Sequence, residues 1–183
     1  ETTLVTYKKV QVKSATQKLS EANQAVEDAR KAANEAEKKA EAAQKAADEA
    51  KREAGENSAK AQAAIEAAER AEKLAKEAQI KVEQLEFASR KPVMKSAKSN
   101  KKKTARAVWK RVSGADGYVV QYSTKSNFSK GKKLTVKKGS TVGKTFKKLR
   151  SQKKYYFRVR AYKTIGGKKV YTGYSGKKSV RIR

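Results

Sequence analysis

The sequence contains no cysteine and no histidine. Without cysteine, neither a disulfide nor a thiolate metal site can form. Without histidine, the chain lacks the commonest general base and metal ligand, and neither a Ser-His-Asp nor a Cys-His arrangement is available. Serine–lysine catalysis is formally possible, but no motif supports it. We therefore expect a protein that is not an enzyme and that uses no cofactor or metal ion.

Long apolar runs and proline are also scarce. No run approaches the roughly 18 apolar residues of a membrane span, so we expect no membrane-spanning segment. No leader pattern is visible, and we expect any secretory leader or wall anchor to lie outside this sequence. The only proline, Pro92, disfavours a helical conformation at Lys91 and marks a predicted domain boundary near Arg90.

Acidic residues are almost absent from the second half of the chain. Residues 91–183 hold 30 of the 47 Lys and Arg residues but only one of the 18 acidic residues, Asp116. In residues 1–90 the charges balance, so the whole net charge of +29 belongs to the second half. Glutamate disappears at the same point, while tyrosine, glycine and valine become frequent. The composition predicts two domains, residues 1–90 and 91–183.

Small apolar residues form a regular seam along residues 19–54. They recur in alternating steps of three and four, which is typical of a coiled coil. The seam positions are Leu19, Ala22, Val26, Ala29, Ala33, Ala36, Ala40, Ala43, Ala47, Ala50 and Ala54. A second seam runs from Ala61 to Leu85, and the glycine-containing segment 55–58 separates the two. The pattern predicts an antiparallel coiled-coil hairpin with helices at about residues 12–54 and 58–88.

Residues 1–18 are ambiguous, because their β-branched residues also suit a short strand. We interpret them as a frayed helical extension and keep the strand as the alternative. Helices of matched length leave residues before about 22 without a partner in the hairpin. We expect this overhang to lie beside the second domain or beneath a third element.

Four larger apolar residues lie outside the alanine seams or at their open end: Tyr7, Val10, Ile80 and Phe87. Ile80 and Phe87 are seven residues apart, so they share a helix face. Two interpretations are open. Either they pack on the second domain or the overhang, or they are exposed anchors for a partner protein. All four are therefore candidate partner-binding residues.

The second half alternates short β-branched and aromatic segments with glycine and serine, which predicts seven strands and a β-sandwich. The strands are expected near residues 93–97, 104–110, 118–123, 132–137, 145–149, 155–163 and 170–182, the last broken around Gly176. Period-two alternation assigns core positions to Tyr118, Val120 and Tyr122, to every second residue from Tyr155 to Ala161, and to either Val108 or Trp109.

Several motifs then carry a family resemblance. Trp109 is followed by Ser113-Gly114-Ala115-Asp116-Gly117-Tyr118, and Leu149 is followed by Tyr155-Tyr156-Phe157. Over residues 92 to 183 the chain resembles a fibronectin type III domain, in the lysine-rich form of secreted and wall-bound proteins of Gram-positive bacteria. Leu149 and Tyr155 match the family's leucine and tyrosine-corner positions, although Ser151 replaces the usual proline. The helical half resembles, more loosely, alanine-rich helical regions of Gram-positive surface proteins. The resemblance implies an extracellular location, at a bacterial surface or secreted.

Lysine doublets and triplets are the strongest chemical signal of the second half. Such a field attracts polyanions such as wall teichoic acid, sulfated or sialylated glycans and nucleic acid. The candidate polyanion-binding residues are Lys101, Lys102, Lys103, Lys132, Lys133, Lys153 and Lys154. No recognition helix or stacking motif is visible, so specific nucleic-acid binding is not expected. The alternative is that the lysines serve solubility or sit against an anionic wall.

Three functions follow from these features. The preferred one is non-enzymatic adhesion at a bacterial surface, in which the helices bind a host protein such as immunoglobulin or another serum or mucosal protein. The sandwich then acts as a spacer. The alternatives are a purely structural stalk of a larger surface protein and polyanion binding by the basic sandwich.

Overall fold

The computed structural model describes residues 15–54 and 59–183. Two long helices precede a set of antiparallel strands. The helices are α1 (Ala15–Ala54) and α2 (Ala59–Ser89). The strands are β1 (Met94–Lys98), β2 (Ala105–Trp109), β3 (Gly117–Ser123), β4 (Lys132–Val136), β5 (Gly143–Phe146), β6 (Lys154–Ile165), β7 (Lys168–Tyr171) and β8 (Lys178–Arg181).

The two helices pack side by side and run in opposite directions. Arg30, in the first half of α1, meets Glu86, near the end of α2, with 2.8 Å between Nη2 and Oε1. The hydrogen bond to Glu86, followed by the charges of Glu86 and Glu27, raises the pKa of the Arg30 guanidinium. Between residues 21 and 53 of α1, every residue that is not exposed belongs to the predicted seam. Alanine is thus the contact residue, and it allows close approach of the backbones.

The start of α1 shows which of the two predicted conformations, helix or strand, the end of the segment 1–18 adopts. Residues 15–18 are helical, as the preferred interpretation expected. Leu19 is 50% exposed, so the overhang is not buried at this point by the residues that the structure describes. Tyr7 and Val10 lie outside the described residues, and so does the segment 55–58 that was predicted to join the helices.

The strands form two sheets packed face to face. The smaller sheet has the order β1-β2-β5, and the larger has the order β4-β3-β6-β7, with β8 also pairing with β6. The core between them contains the residues expected from alternation, including Tyr118, Val120, Phe157 and Val159, which are fully buried. On β2 the core residue is Trp109, at 1% exposure.

The expectation of seven strands was wrong, because the last predicted strand is two strands. Between β7 and β8, the hydroxyl oxygens of Thr172 and Ser175 accept hydrogen bonds from the backbone N–H groups of Ala161 and Val159, each at 3.0 Å. Side chains thus replace backbone carbonyls as acceptors for β6. The segment stays against β6 without forming a regular ladder, so the strand is interrupted.

The last turns of α2 lie on the sandwich. Only residues 90–93 separate α2 from β1, and this short link brings one face of α2 against the end of β6. Phe87 is 2% exposed and belongs to the same buried cluster as Trp109 and Ile165. The hypothesis that Phe87 is an exposed partner anchor is therefore wrong for this structure, whereas the alternative, packing on the second domain, describes its position.

Among the described residues, no helix is long and apolar enough to span a membrane.

Candidate functional site

A basic cleft of about 630 Å³ opens at the end of the sandwich that is farther from the helices. It lies between the β3–β4 loop and the β5–β6 loop, where the outer strands of the two sheets separate. Its lining consists of Tyr122, Ser123, Thr124, Lys125, Ser129, Lys130, Lys132, Lys147, Lys148, Leu149, Arg150 and Tyr155. Within the described chain this lining has six cationic side chains and no acid.

Strand alternation places Lys132 in the cleft. Lys132 pairs directly with Tyr122 and shares a face with Leu134 and Val136, which belong to or pack on the core. The core face of β4 therefore ends in a lysine at the cleft. Lys133 lies on the opposite face of the strand and does not line the cleft.

The β3–β4 loop is held in one shape by its own hydrogen bonds. The N–H of Phe128 donates to the carbonyl of Lys125 at 3.0 Å, and the N–H of Gly131 donates to the carbonyl of Phe128 at 3.0 Å. The Phe128 ring is 6% exposed and lies 4.2 Å from the guanidinium carbon of Arg158. The loop is thus anchored on the sheet, and it carries Lys125 and Lys130 at the rim of the cleft.

The β5–β6 loop is tied to its neighbours on the other side. The N–H of Leu149 donates to the carbonyl of Lys103 at 3.0 Å, and the N–H of Gln152 donates to that of Ile182 at 2.8 Å. The backbone N–H of Arg150 donates to the hydroxyl of Tyr155 at 3.3 Å, which is the tyrosine-corner contact implied by the family resemblance. Both walls of the cleft are therefore fixed before any ligand arrives.

The floor of the cleft contains two tyrosines. The ring of Tyr122 packs between Phe146 and Phe157, at centroid distances of 4.8 and 6.0 Å. Within the described residues, the Tyr122 hydroxyl has no hydrogen-bond partner, and the Tyr155 hydroxyl accepts a bond but has no acceptor for its own proton. The cleft therefore offers neutral O–H donors together with its cationic side chains.

The charge of the cleft is not offset by nearby acids. Asp116, the only acid of residues 91–183, precedes β3, whose other end reaches the cleft at Ser123. Its Oδ2 accepts a hydrogen bond from the N–H of Thr164 at 2.7 Å. A strand of this length spans about 20 Å, and that distance is about two Debye lengths at 0.1 M salt. The cleft is thus a positive site at physiological ionic strength.

The seven lysines predicted from the sequence gather near this end, but only Lys132 lines the cleft. Lys101, Lys102 and Lys103 form the β1–β2 loop, whose Lys103 carbonyl holds the β5–β6 loop. Lys153 immediately precedes β6 and Lys154 is its first residue. The Lys154 ammonium lies over the outer-face Tyr156 ring at 5.5 Å. Six of the seven predicted lysines therefore lie outside the lining of the cleft.

The residues that sequence reasoning missed in the cleft are Lys125, Lys130, Lys147, Lys148 and Arg150. Lys125 and Lys130 are isolated lysines in a loop, so a search for doublets passes over them. A sequence signal did exist, because the loops after the third and fifth predicted strands lie at the same end of an antiparallel sandwich. Combining those loops would have selected Lys125, Lys130 and Arg150, whereas Lys147 and Lys148 fall inside the predicted strand 145–149.

The predicted helix residue Ile80 lies at the junction between α2 and the β6–β7 turn. A Cβ atom at Gly166 would approach the Ile80 Cγ2 to 2.8 Å, so the isoleucine touches the glycine backbone. Glu83 pairs with Lys163 at 2.5 Å, and Arg90 donates from Nη1 to the carbonyl of Ser113 at 2.6 Å. These contacts and Phe87 fix the end of α2 on the sandwich.

The outer face of the larger sheet carries a stack of cations and aromatic rings. The Arg158 guanidinium carbon lies 4.1 Å from the Tyr174 ring centroid, and that of Arg160 lies 4.0 Å from the Tyr171 centroid. Gln121 accepts two hydrogen bonds from Arg158, at 2.9 and 2.7 Å. The stack packs β6 side chains that the core analysis of the sequence left unassigned, although the buried Nε of Arg160 has no hydrogen-bond partner among the described residues. We interpret the stack as structural support for the sheet.

No family model matches the chain, and no curated protein matches its sequence. Solved structures do resemble it. A chicken CNTN1 structure of FN1–FN3 domains has 18% identity and a TM-score of 0.44, and the match covers 51% of this chain and 30% of that chain. A structure described as a myokine has 14% identity and a TM-score of 0.41, covering 50% of this chain and 95% of that one. A β-1,2-glucanase from Parabacteroides distasonis has 17% identity and a TM-score of 0.42, covering 50% of this chain and 12% of that one.

This chain therefore spans less than a third of the CNTN1 structure it matches. The neighbours include fibronectin type III domains.

Proposed function

We propose that the chain is a non-enzymatic, extracellular protein of a bacterial surface whose basic sandwich end binds an anionic polymer. The observation that carries this proposal is the cleft, where six cations from three separate segments converge without an acid. Two fixed loops and one strand supply these side chains, so the charge is concentrated in a concave site. A concave positive site raises the local concentration of an anionic chain more than scattered surface lysines do.

In this proposal the helices act as a rod that separates the cleft from the far end of the helix pair. With about 1.5 Å per residue, the 31-residue α2 is about 46 Å long. The Phe87 and Ile80 contacts attach this rod to one end of the sandwich, and the 12-residue β6 extends about 36 Å towards the other end. We propose that the helix pair is the coiled-coil hairpin predicted from the seams and that it acts as a spacer.

The host-protein function preferred from the sequence has less support. Phe87 is buried, and Ile80, although 38% exposed, packs against Gly166, so the two do not form a free pair of anchors on one helix face. Binding of immunoglobulin or another serum protein through the helices is kept as the alternative. Its test is capture from serum by the immobilised full chain at 0.15 M salt, followed by identification of any protein that is retained at 0.5 M salt.

Titration of the full chain with a heparin-derived oligosaccharide and with inorganic polyphosphate tests the polyanion proposal. We expect saturable binding at about 0.1 M salt and a linear fall of log K with log salt, with a slope of about −0.9 for each anionic group contacted. Weaker but measurable binding should persist at about 0.5 M salt, since the tyrosine hydroxyls do not depend on counterion release. Absence of saturable binding at 0.1 M, or its complete loss at 0.5 M, would refute a built binding site.

A further inference from the structure

Left-handed backbone conformations occur at both ends of the sandwich, but in different types of residue. In the described chain, glycines adopt a left-handed conformation at Gly114, Gly166 and Gly167, all at the end that meets the helices. Among residues 15–54 and 59–183, residues with side chains adopt it only in the loops at the cleft end. These residues are Lys103, Phe128, Lys130, Lys148 and Gln152, with φ between 53° and 61°.

A left-handed conformation is unfavourable for a residue with a Cβ atom, because that atom crowds the following carbonyl oxygen. Glycine removes this crowding, and three glycines do so at the other end. A residue with a side chain at such a position is therefore unusual, and unfavourable backbone conformations are frequent at functional sites. The cleft end has five residues of this kind.

Phe128 has a structural reason, since its buried ring lies beneath Arg158 and anchors its loop. Lys130 and Lys148 have none of this kind. Both are exposed, both line the cleft from opposing loops, and neither ammonium has a partner among residues 15–54 and 59–183. Replacing them with glycine would relieve the backbone, and the only loss would be a free cation facing the cleft.

We infer that Lys130 and Lys148 are specificity-determining residues of an oxyanion subsite that takes the sulfate or phosphate groups of an anionic polymer. This inference rests on the proposed function and identifies the groups that the cleft recognises. Lysine ammoniums act as point charges that suit tetrahedral oxyanions. Lys130 lines the cleft from the β3–β4 loop and Lys148 from the β5–β6 loop, and Tyr122 and Tyr155 line it as well. Cationic and hydroxyl donors carried by separate segments suit a tetrahedral group better than a planar carboxylate.

The test compares the double variant Lys130→Gly/Lys148→Gly with Lys137→Gly/Lys168→Gly, two exposed lysines outside the cleft. Both variants lose the same charge. Because glycine relieves the left-handed positions, the Tm of the cleft variant should stay unchanged or rise by about 2–4 °C, whereas that of the control should fall. At about 0.1 M salt, the affinity for a heparin-derived oligosaccharide should fall about 60-fold in the cleft variant, since each of the two lost contacts costs about eightfold. The control should lose about two- to fourfold through net charge alone.

Tyr122→Phe independently tests whether the Tyr122 hydroxyl contributes to the subsite. The change keeps the ring packing and removes only a hydroxyl that has no partner among the described residues. We expect about a tenfold loss of affinity for the sulfated oligosaccharide. The salt dependence should stay unchanged, because no charge is removed. An unchanged affinity would remove Tyr122 from the subsite.

Three probes identify the group that is bound: the heparin-derived oligosaccharide, inorganic polyphosphate and polyglutamate. We expect the first two to bind at least tenfold more tightly than polyglutamate at equal charge and salt, and the better of the two distinguishes a sulfated from a phosphorylated source. Equal binding of polyglutamate would overturn the inference, as would equal losses in the cleft and control variants or a lower Tm for the cleft variant. Equal binding of polyglutamate or a lower Tm would leave the proposed function intact, whereas equal losses in the two variants would also remove the cleft as the binding site. If the unmodified chain binds none of the probes, the proposed function itself fails.

Discussion

Replacing Gly166 with alanine should destabilise the chain more than the same replacement at Gly167. The two glycines form the β6–β7 turn and have φ values of +57° and +75°. Alanine at either position therefore adopts a left-handed conformation, which costs roughly 1–2 kcal/mol. The new Cβ atom at Gly167 has no atom within 4 Å, whereas the one at Gly166 lies 2.8 Å from the Ile80 Cγ2. The difference in stability between the two alanine variants therefore reports the contact between α2 and the sandwich.

The size of the difference follows from the stiffness of Ile80. A carbon–carbon separation of 2.8 Å is well below the van der Waals optimum of about 3.5–4.0 Å. An isoleucine in a helix strongly prefers one χ1 rotamer, and moving it off that rotamer costs about 0.5–1.5 kcal/mol. The alternative, separating α2 from the turn, disturbs the neighbouring Glu83–Lys163 pair. We therefore expect the Gly166 variant to be less stable than the Gly167 variant by about 1 kcal/mol.

Urea unfolding followed by Trp109 fluorescence measures this difference, because Trp109 is the only tryptophan and is buried in the sandwich. Ile80→Ala introduced into both glycine variants should bring their stabilities together. The reasoning is refuted if the Gly166 and Gly167 variants are equally stable, or if their difference persists after Ile80→Ala.

Two further stability predictions concern buried contacts. Phe87→Ala should lower the free energy of unfolding by about 3–5 kcal/mol, the usual cost of truncating a buried phenylalanine. It should also lower the urea midpoint of Trp109 fluorescence, and an unchanged midpoint would contradict the burial of Phe87 in the sandwich core. Ser175→Ala leaves the buried N–H of Val159 without its side-chain acceptor, and should cost about 1–3 kcal/mol. The exposed Ser179→Ala serves as its control in the same assay, and equal midpoints would disprove the role of the Ser175 hydroxyl.

Much of the helical part follows from the sequence because its pattern is simple. Steps of three and four placed the partly or fully buried residues of α1 correctly, and the lack of glycine and proline between Ala15 and Ala54 made a continuous helix the natural prediction. The fate of Phe87 could not be predicted in the same way. Both interpretations agree with its seven-residue spacing from Ile80, and only the path of residues 90–93 decides which surface α2 meets.

The sandwich was predictable at the level of strands and core faces. The break between β7 and β8 was predicted as an interruption within one strand, whereas it separates two strands. Its cause is that the hydroxyls of Thr172 and Ser175 replace backbone carbonyls as hydrogen-bond acceptors, which sequence periodicity does not reveal. The cleft was only partly predictable for a related reason. Lysine doublets mark a basic domain, but a cleft depends on which loops meet. The isolated Lys125 and Lys130 line it, whereas the doublet Lys153–Lys154 does not.

The central claim, that the cleft rather than overall charge binds an anionic polymer, is tested most directly by two triple variants of equal charge. Lys130, Lys132 and Lys148 line the cleft, and each is changed to glutamine in the first variant. Lys95, Lys137 and Lys168 are exposed elsewhere, and each is changed to glutamine in the second. For a heparin-derived oligosaccharide at about 0.1 M salt, the cleft variant should lose affinity on the order of 100-fold or more, and the control about fivefold at most. Equal losses in the two variants would contradict the claim, because they would assign binding to net charge alone.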